Sequence, residues 1–195
     1  MIELLPLDIR EKYEVHIINH PLVILRYAYP NEWEDLLDLL SNFTLSRSDI
    51  LANGGRKSLI ANKLDGFLYD RGWKEKSFNT SINVDEQKTD VPTHKIDCFK
   101  NKVGIEIEWN NKDPFFDRDL NNFRLLFDLK ALKIGIIITR ASNLQNLFSS
   151  LGKGQSYGSS TTHMNKLIPR IDGGGGGGCP IAAFGITDYL YDKNS

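Results

Sequence analysis

The stretch Ile96-Asp97-Cys98-Phe99-Lys100-Asn101-Lys102-Val103-Gly104-Ile105-Glu106-Ile107-Glu108-Trp109 decides the fold. It reads as two strands, Ile96–Phe99 and Val103–Trp109, joined by the tight polar turn Lys100-Asn101-Lys102. Side chains of a strand alternate faces, so Val103, Ile105, Ile107 and Trp109 share one side, and Glu106 and Glu108 share the other. On the first strand the same rule sends Ile96 and Cys98 to the apolar side and Asp97 to the opposite one. Hairpin pairing then gathers Asp97, Glu106 and Glu108. A half-buried strand with a solvated outer face would give the same alternation, so the pattern alone leaves both readings open.

Downstream, Asp113 and Pro114 fit the N-cap and first position of a helix that continues through Leu120, Phe123, Leu126, Phe127 and Ala131. The apolar run Ile134–Thr139 suits a strand covered on both faces. A right-handed crossover would return it beside the Glu106 strand, giving a mixed β-sheet flanked by helices, in the α/β class. A short helix over Asn143–Leu151, a polar loop over Gly152–Thr162 and a final strand beginning near Cys179 complete this half. Gly173–Gly178 lacks the preceding strand and the following Gly-Lys-Ser/Thr of a phosphate loop, and reads as a flexible or close-approach loop.

Upstream, Leu22–Tyr29 reads as a strand. A helix starts at Asn31, with Glu34 completing a capping box and Trp33, Leu36, Leu37, Leu40 and Phe43 forming its apolar stripe. A second helix spans Arg56–Arg71 and stops at Gly72. Between Lys74 and Lys95 only Ser77–Val84 suggests a strand.

The chain has 195 residues, of which 41% are hydrophobic, enough for one domain over 1–195 with a real core. A net charge of −1 gives no bulk attraction for nucleic acid, so any DNA-binding face must be local. Cys98 and Cys179 lack metal-ligand spacing and read as buried free thiols, which suits a reducing cytoplasm. No basic leader precedes an apolar run and no window reaches membrane-spanning length, so a soluble protein without a membrane partner is expected.

Three carboxylates in one place repel and raise one another's pKa unless a cation compensates. Mg²⁺ suits them, because it prefers carboxylate oxygen and keeps waters in its shell. Such a metal can position and help deprotonate a water and stabilise the charge of a phosphodiester under attack. In that chemistry Asp97 and Glu106 are direct ligands, the Ile107 carbonyl is a further one, and Glu108 orients or deprotonates the water. Arg56, Lys57, Arg118 and Arg140 are candidate phosphate contacts.

The pattern Asp97-x₈-Glu106-x-Glu108, followed by helix and strand, resembles the PD-(D/E)XK nuclease core, in particular type II restriction endonucleases of the BglII/BstYI type. Gly72-Trp73-Lys74-Glu75, the hairpin, Ile136–Thr139, Ser156-Tyr157 and Cys179-Pro180 match in order from about Trp33 onward. Glu108 stands where the wider superfamily has Lys, similar to the BamHI-like departures of this branch. The resemblance implies that Glu75 approaches the catalytic centre, and that Asn110, Asn111, Lys153, Gln155 and Ser156 contact bases. Asn and Gln suit adenine, Lys suits guanine and Ser suits several base edges. It further implies a homodimer on palindromic double-stranded DNA, a GATC-containing target, and 5′-phosphate and 3′-hydroxyl ends. A structure-selective repair or junction nuclease with the same core, and a non-catalytic DNA-binding protein, are the alternatives.

Overall fold

A computed structural model describes residues 1–52 and 58–193. In chain order it contains α1 (Leu7–Lys12), β1 (Tyr13–Ile18), α2 (Pro21–Ala28), α3 (Pro30–Asn42), β2 (Leu45–Ser46), α4 (Arg47–Leu51) and α5 (Leu59–Tyr69). There follow β3 (Lys74–Lys76), β4 (Asn79–Val84), β5 (Gln87–Pro92), β6 (Ile96–Lys100), β7 (Val103–Glu108) and α6 (Pro114–Asp128). The chain continues through β8 (Ile134–Arg140), α7 (Leu144–Ser150), α8 (Met164–Asp172), β9 (Ile181–Ile186) and β10 (Tyr191–Asp192). Among the described residues no helix is long and apolar enough to cross a membrane.

The central sheet has six strands in the order β1-β9-β8-β7-β6-β3. Strands β7, β8 and β9 run parallel, while β1, β6 and β3 pair antiparallel at the two sides. This is the mixed α/β sheet that the sequence implies, with β8 beside β7 and all seven β8 residues buried. One face carries Ile105, Ile107, Ile136 and Ile138 against Leu22, Leu36, Leu64 and Phe148 of α2, α3, α5 and α7. The other packs Ile137, Ile181 and Ala183 against Phe116, Leu120 and Phe123 of α6 and Leu167 of α8. Helix α6 therefore lies over the sheet face on which Glu106 and Glu108 stand.

Contact on that face is close. A Cβ added at Gly135 would sit 2.3 Å from Cδ2 of Phe123, so α6 can cross β8 only where the strand lacks a side chain. Gly135→Ala should lower the stability measured by urea unfolding by about 1–3 kcal/mol, through forced displacement of Phe123. The glycine run is a close-approach loop for the same reason: a Cβ at Gly176 would lie 2.2 Å from Cδ1 of Ile181.

Several local readings differ from the structure. Leu22–Tyr29 is not a strand; Pro21–Ala28 is helical, with Pro21 in the first turn, where its missing N–H costs nothing, and with Leu22 and Leu25 buried. The strand of this region is Tyr13–Ile18, which pairs with β9. Helix α3 begins at Pro30 with Tyr29 as N-cap, so Asn31 and Glu34 form no capping box. Helix α5 begins at Leu59 with the Ser58 side chain accepting from Ala61 N–H, and the expected start at Arg56 lies outside the described residues. Asp113 holds the N-cap position of α6 but makes no side-chain cap; its carboxylate pairs with Lys166 and Arg170 of α8 at 3.4 and 3.6 Å. Strand β4 falls within the expected Ser77–Val84, whereas its hairpin partner β5 and helix α8 are not foreseen by the sequence.

Strand β6 departs from simple alternation. Cys98 joins the face with Ile105, whereas Ile96 packs with Phe116 and Phe123 on the other. The β6–β7 ladder runs only from Lys100↔Val103 to Cys98↔Ile105. Beyond it, side chains replace backbone partners: Ile107 N–H donates to Oδ2 of Asp97 at 3.1 Å, and Asp97 N–H donates to Oε2 of Glu106 at 3.3 Å. Freed from the ladder, the strand turns Ile96 to the opposite face.

Candidate active site

The hairpin and α6 together build a buried carboxylate cluster. Glu106 and Glu108 are each 1% exposed, so the solvated-face reading of the alternation does not hold. The reason is α6, whose Asp119 occupies a fully buried position between Phe116 and Phe123 and faces the two glutamates. Arg118 ties the cluster together. Its Nε donates to Oδ1 of Asp119 at 2.8 Å and its Nη2 to Oε1 of Glu108 at 3.0 Å. The guanidinium carbon lies 4.4 Å from the centroid of the Phe115 ring. Asn111 Nδ2 donates to Oε2 of Glu108 at 2.6 Å.

One guanidinium does not neutralise this cluster. Burial pushes Glu106 well above the usual carboxylate range, and the charges of Asp119 and Asp97 push it further. Burial, then Asp119, raises Glu108 to about 9 against the pull of Asn111 and Arg118. Asp119 is raised by burial too, with Arg118 and a bond to Glu108 opposing. Oε1 of Glu106 and Oδ2 of Asp119 are buried without hydrogen-bond partners among the described residues. Orphaned buried acceptors of this kind cost folding energy unless something binds them.

No group of three or more His, Cys, Asp or Glu among the described residues is placed to hold a metal ion as it stands. Mg²⁺ asks for less than such a cage, since one or two carboxylates suffice when water and phosphate complete the shell. Asp97 and the unpartnered oxygen of Glu106 fit that requirement by donor chemistry.

A cleft of about 610 Å³ opens onto the cluster. It brings together Asp97, Ile107, Glu108, Glu75, Asn110, Asn111, Lys153 and Ser156 of the expected site. Glu106 lies behind this lining, reached through Asp97. Glu75 projects from β3 and pairs with Lys95 at 2.9 Å, both more than half exposed, so that bridge is weak. Gln155 and Arg140 do not reach the cleft and line a second cavity. Arg56 and Lys57 lie outside the described residues.

The cleft rim is stitched to the end of β7. Thr139 and Thr162 hydroxyls both donate to the Glu108 carbonyl, at 2.8 and 3.2 Å, and Thr162 N–H donates to Asn111 O at 2.9 Å. Asn110 adopts a φ of +58°, a conformation that asparagine tolerates better than most residues, and this turns the chain sharply after Glu108. Tyr157 stacks on Phe148 at 3.9 Å and meets Trp109 edge-on at 6.2 Å, fixing the loop that carries Lys153 and Ser156.

Sequence reasoning missed Asp119 and assigned Arg118 to phosphate alone. The available signal was a carboxylate inside the apolar stripe Phe116, Leu120, Phe123, a place where charge is rarely tolerated without a purpose.

A family model described as restriction endonuclease BglII/BglIII matches residues 13–186, from the first residue of β1 to the last of β9. No curated protein matches the chain.

Proposed function

We propose, because this chain belongs to the BglII/BglIII family of restriction endonucleases and is therefore a type II site-specific deoxyribonuclease, that it cuts palindromic double-stranded DNA with Mg²⁺ at the Asp97–Glu106 cluster. The observation that carries this reading is the buried, unpartnered Oε1 of Glu106 beside Asp97, in a cluster with more negative charge than Arg118 can balance. A cation held by Asp97, Glu106 and the Ile107 carbonyl would supply Lewis acidity to the scissile phosphate and acidify a nearby water.

The protein's own groups do the rest. The Asp97 N–H holds the Glu106 carboxylate and the Ile107 N–H holds the Asp97 carboxylate, so each is oriented before substrate arrives. Glu108, gripped by Arg118 and Asn111, faces the cleft and takes the proton of the attacking water. With its pKa near 9, Glu108 holds a proton in the cation-free protein at neutral pH; added positive charge lowers that value toward the working range. Water oxygen bonds to phosphorus as the bond from phosphorus to O3′ breaks and O3′ takes a proton from solvent, leaving 5′-phosphate and 3′-hydroxyl ends.

Asn110, Asn111, Lys153 and Ser156 are the proposed base and phosphate contacts within the cleft, and Glu75 the proposed additional carboxylate at its edge. Asn111 donates one amide N–H to Glu108 and keeps its Oδ1 and second N–H for a base, which couples recognition to the catalytic group. Gln155, Arg140, Arg56 and Lys57 are proposed as more distant DNA contacts. A homodimer would match the two-fold symmetry of a palindrome and place one cleft on each strand. GATC-containing sites are the first targets to test. The buried thiols Cys98 and Cys179 suit the reducing cytoplasm in which we place the enzyme.

Incubation with phage DNA and Mg²⁺ should give discrete fragments that are absent with EDTA. A metal-dependent smear, or cutting that follows branched structures instead of sequence, would favour the structure-selective nuclease.

A further inference from the structure

The second cavity, about 440 Å³, is lined by Arg140, Ser142, Gln145, Gln155, Ser159 and His163, with two glycines of the same turn. Residues of that turn divide between the two cavities: Lys153, Ser156 and Tyr157 line the cleft, while Gln155 and Ser159 line this one. Every side chain in the lining is a guanidinium, hydroxyl, amide or imidazole, and none is acidic.

Arg140 is the last residue of β8 and is 1% exposed. Its Nη2 donates to the Tyr157 and Gly158 carbonyls at 3.3 and 3.4 Å and to Oγ1 of Thr161 at 3.0 Å. Its Nε is buried with no partner among the described residues, and no carboxylate there forms an ion pair with it. Burial lowers its pKa to about 10, against a small opposing effect of Tyr157. A buried cation without a counter-charge is costly, and arginine is suited to paired contacts with oxyanions. Ser142 Oγ and His163 Nδ1, 3.0 Å apart, add a second polar pair on the wall.

We propose that this cavity is an oxyanion site for a phosphate group, held by Arg140 with Ser142, Ser159 and His163, and separate from the carboxylate cleft. The phosphate can come from the DNA backbone or from free phosphate in solution; only the first source rests on the restriction-enzyme reading. In either case the occupant anchors the turn that presents Lys153 and Ser156 to the cleft.

The test uses the intact chain without divalent metal. Inorganic phosphate should raise the melting temperature of wild type above a chloride control of equal ionic strength. Ser159→Asp, an exposed substitution that puts a carboxylate at the cavity wall, should lose that rise, and Ser160→Asp, outside the lining, should keep it. In a second arm, binding of a 30-base-pair duplex is measured in EDTA across a salt series. If the site takes backbone phosphate, Ser159→Asp lowers the slope of log K against log salt by about 0.9 relative to Ser160→Asp. An unchanged slope with a retained phosphate effect assigns the site to free phosphate, and a lowered slope without that effect assigns it to DNA alone. Absence of a phosphate-specific rise in wild type, together with equal slopes in the two variants, overturns the proposal. Should wild type cleave no DNA at all, the phosphate arm still decides whether the cavity binds an oxyanion.

Discussion

Glu106→Gln should abolish cleavage and, in EDTA, melt at a higher temperature than wild type. The amide can still accept the Asp97 N–H through its oxygen, so the hairpin keeps its geometry. It replaces a buried group whose ionisation burial, Asp119 and Asp97 all oppose. It also removes a proposed metal ligand, and Lewis-acid stabilisation of several kcal/mol corresponds to a loss of at least about a thousandfold in rate. Opposite changes in activity and stability are the signature of a strained functional site. The same cluster sets a pH dependence. Folded-state pKa values above the unfolded value of 4.5 mean that the native state binds more protons, so stability is fullest in acid and declines as pH rises. For Glu108 the decline spans 4.5 to about 9. Cation-free wild type should therefore melt progressively lower across that window, and Glu106→Gln should decline less. Thermal melts of both proteins over a pH series, beside a cleavage assay, check each part.

Glu108→Gln should reduce kcat by a factor on the order of 10² to 10⁴, the range for loss of a general base, with little change in KM. Its oxygen can still accept from Arg118 or Asn111, so the fold and DNA affinity should survive. Single-turnover cleavage under Mg²⁺ separates the possibilities. Unchanged cleavage by Glu108→Gln would mean that the water is activated without this residue, leaving Glu108 as an anchor for Arg118 and Asn111.

The hairpin was legible because strand alternation is a local property: Ile-Glu-Ile-Glu-Trp assigns its faces without knowledge of the rest of the chain. What covers the glutamate face was not legible, since that depends on α6 returning across the sheet, a contact between distant segments. The same ignorance hid Asp119, whose meaning comes from what it faces and not from its neighbours in sequence. Leu22–Leu25 shows a different difficulty. A short run of branched apolar residues fits a buried strand and a buried helix equally, and Pro21 at a first helical turn was the signal that distinguishes them. Within the loop, Ser156 and Gln155 look interchangeable as base readers, yet one turn sends them to different cavities. Ile96 failed for a third reason: alternation presumes an unbroken ladder, and the carboxylates of Asp97 and Glu106 interrupt it.

The placement of a divalent cation between Asp97 and Glu106 is tested most directly by melting the DNA-free protein at mildly alkaline pH, with and without millimolar Mg²⁺. Ligand that binds only the native state raises its stability by mass action. Wild type should melt several degrees higher with Mg²⁺, and Glu106→Gln should not respond. No rise in wild type, or an equal rise in both proteins, would contradict that placement.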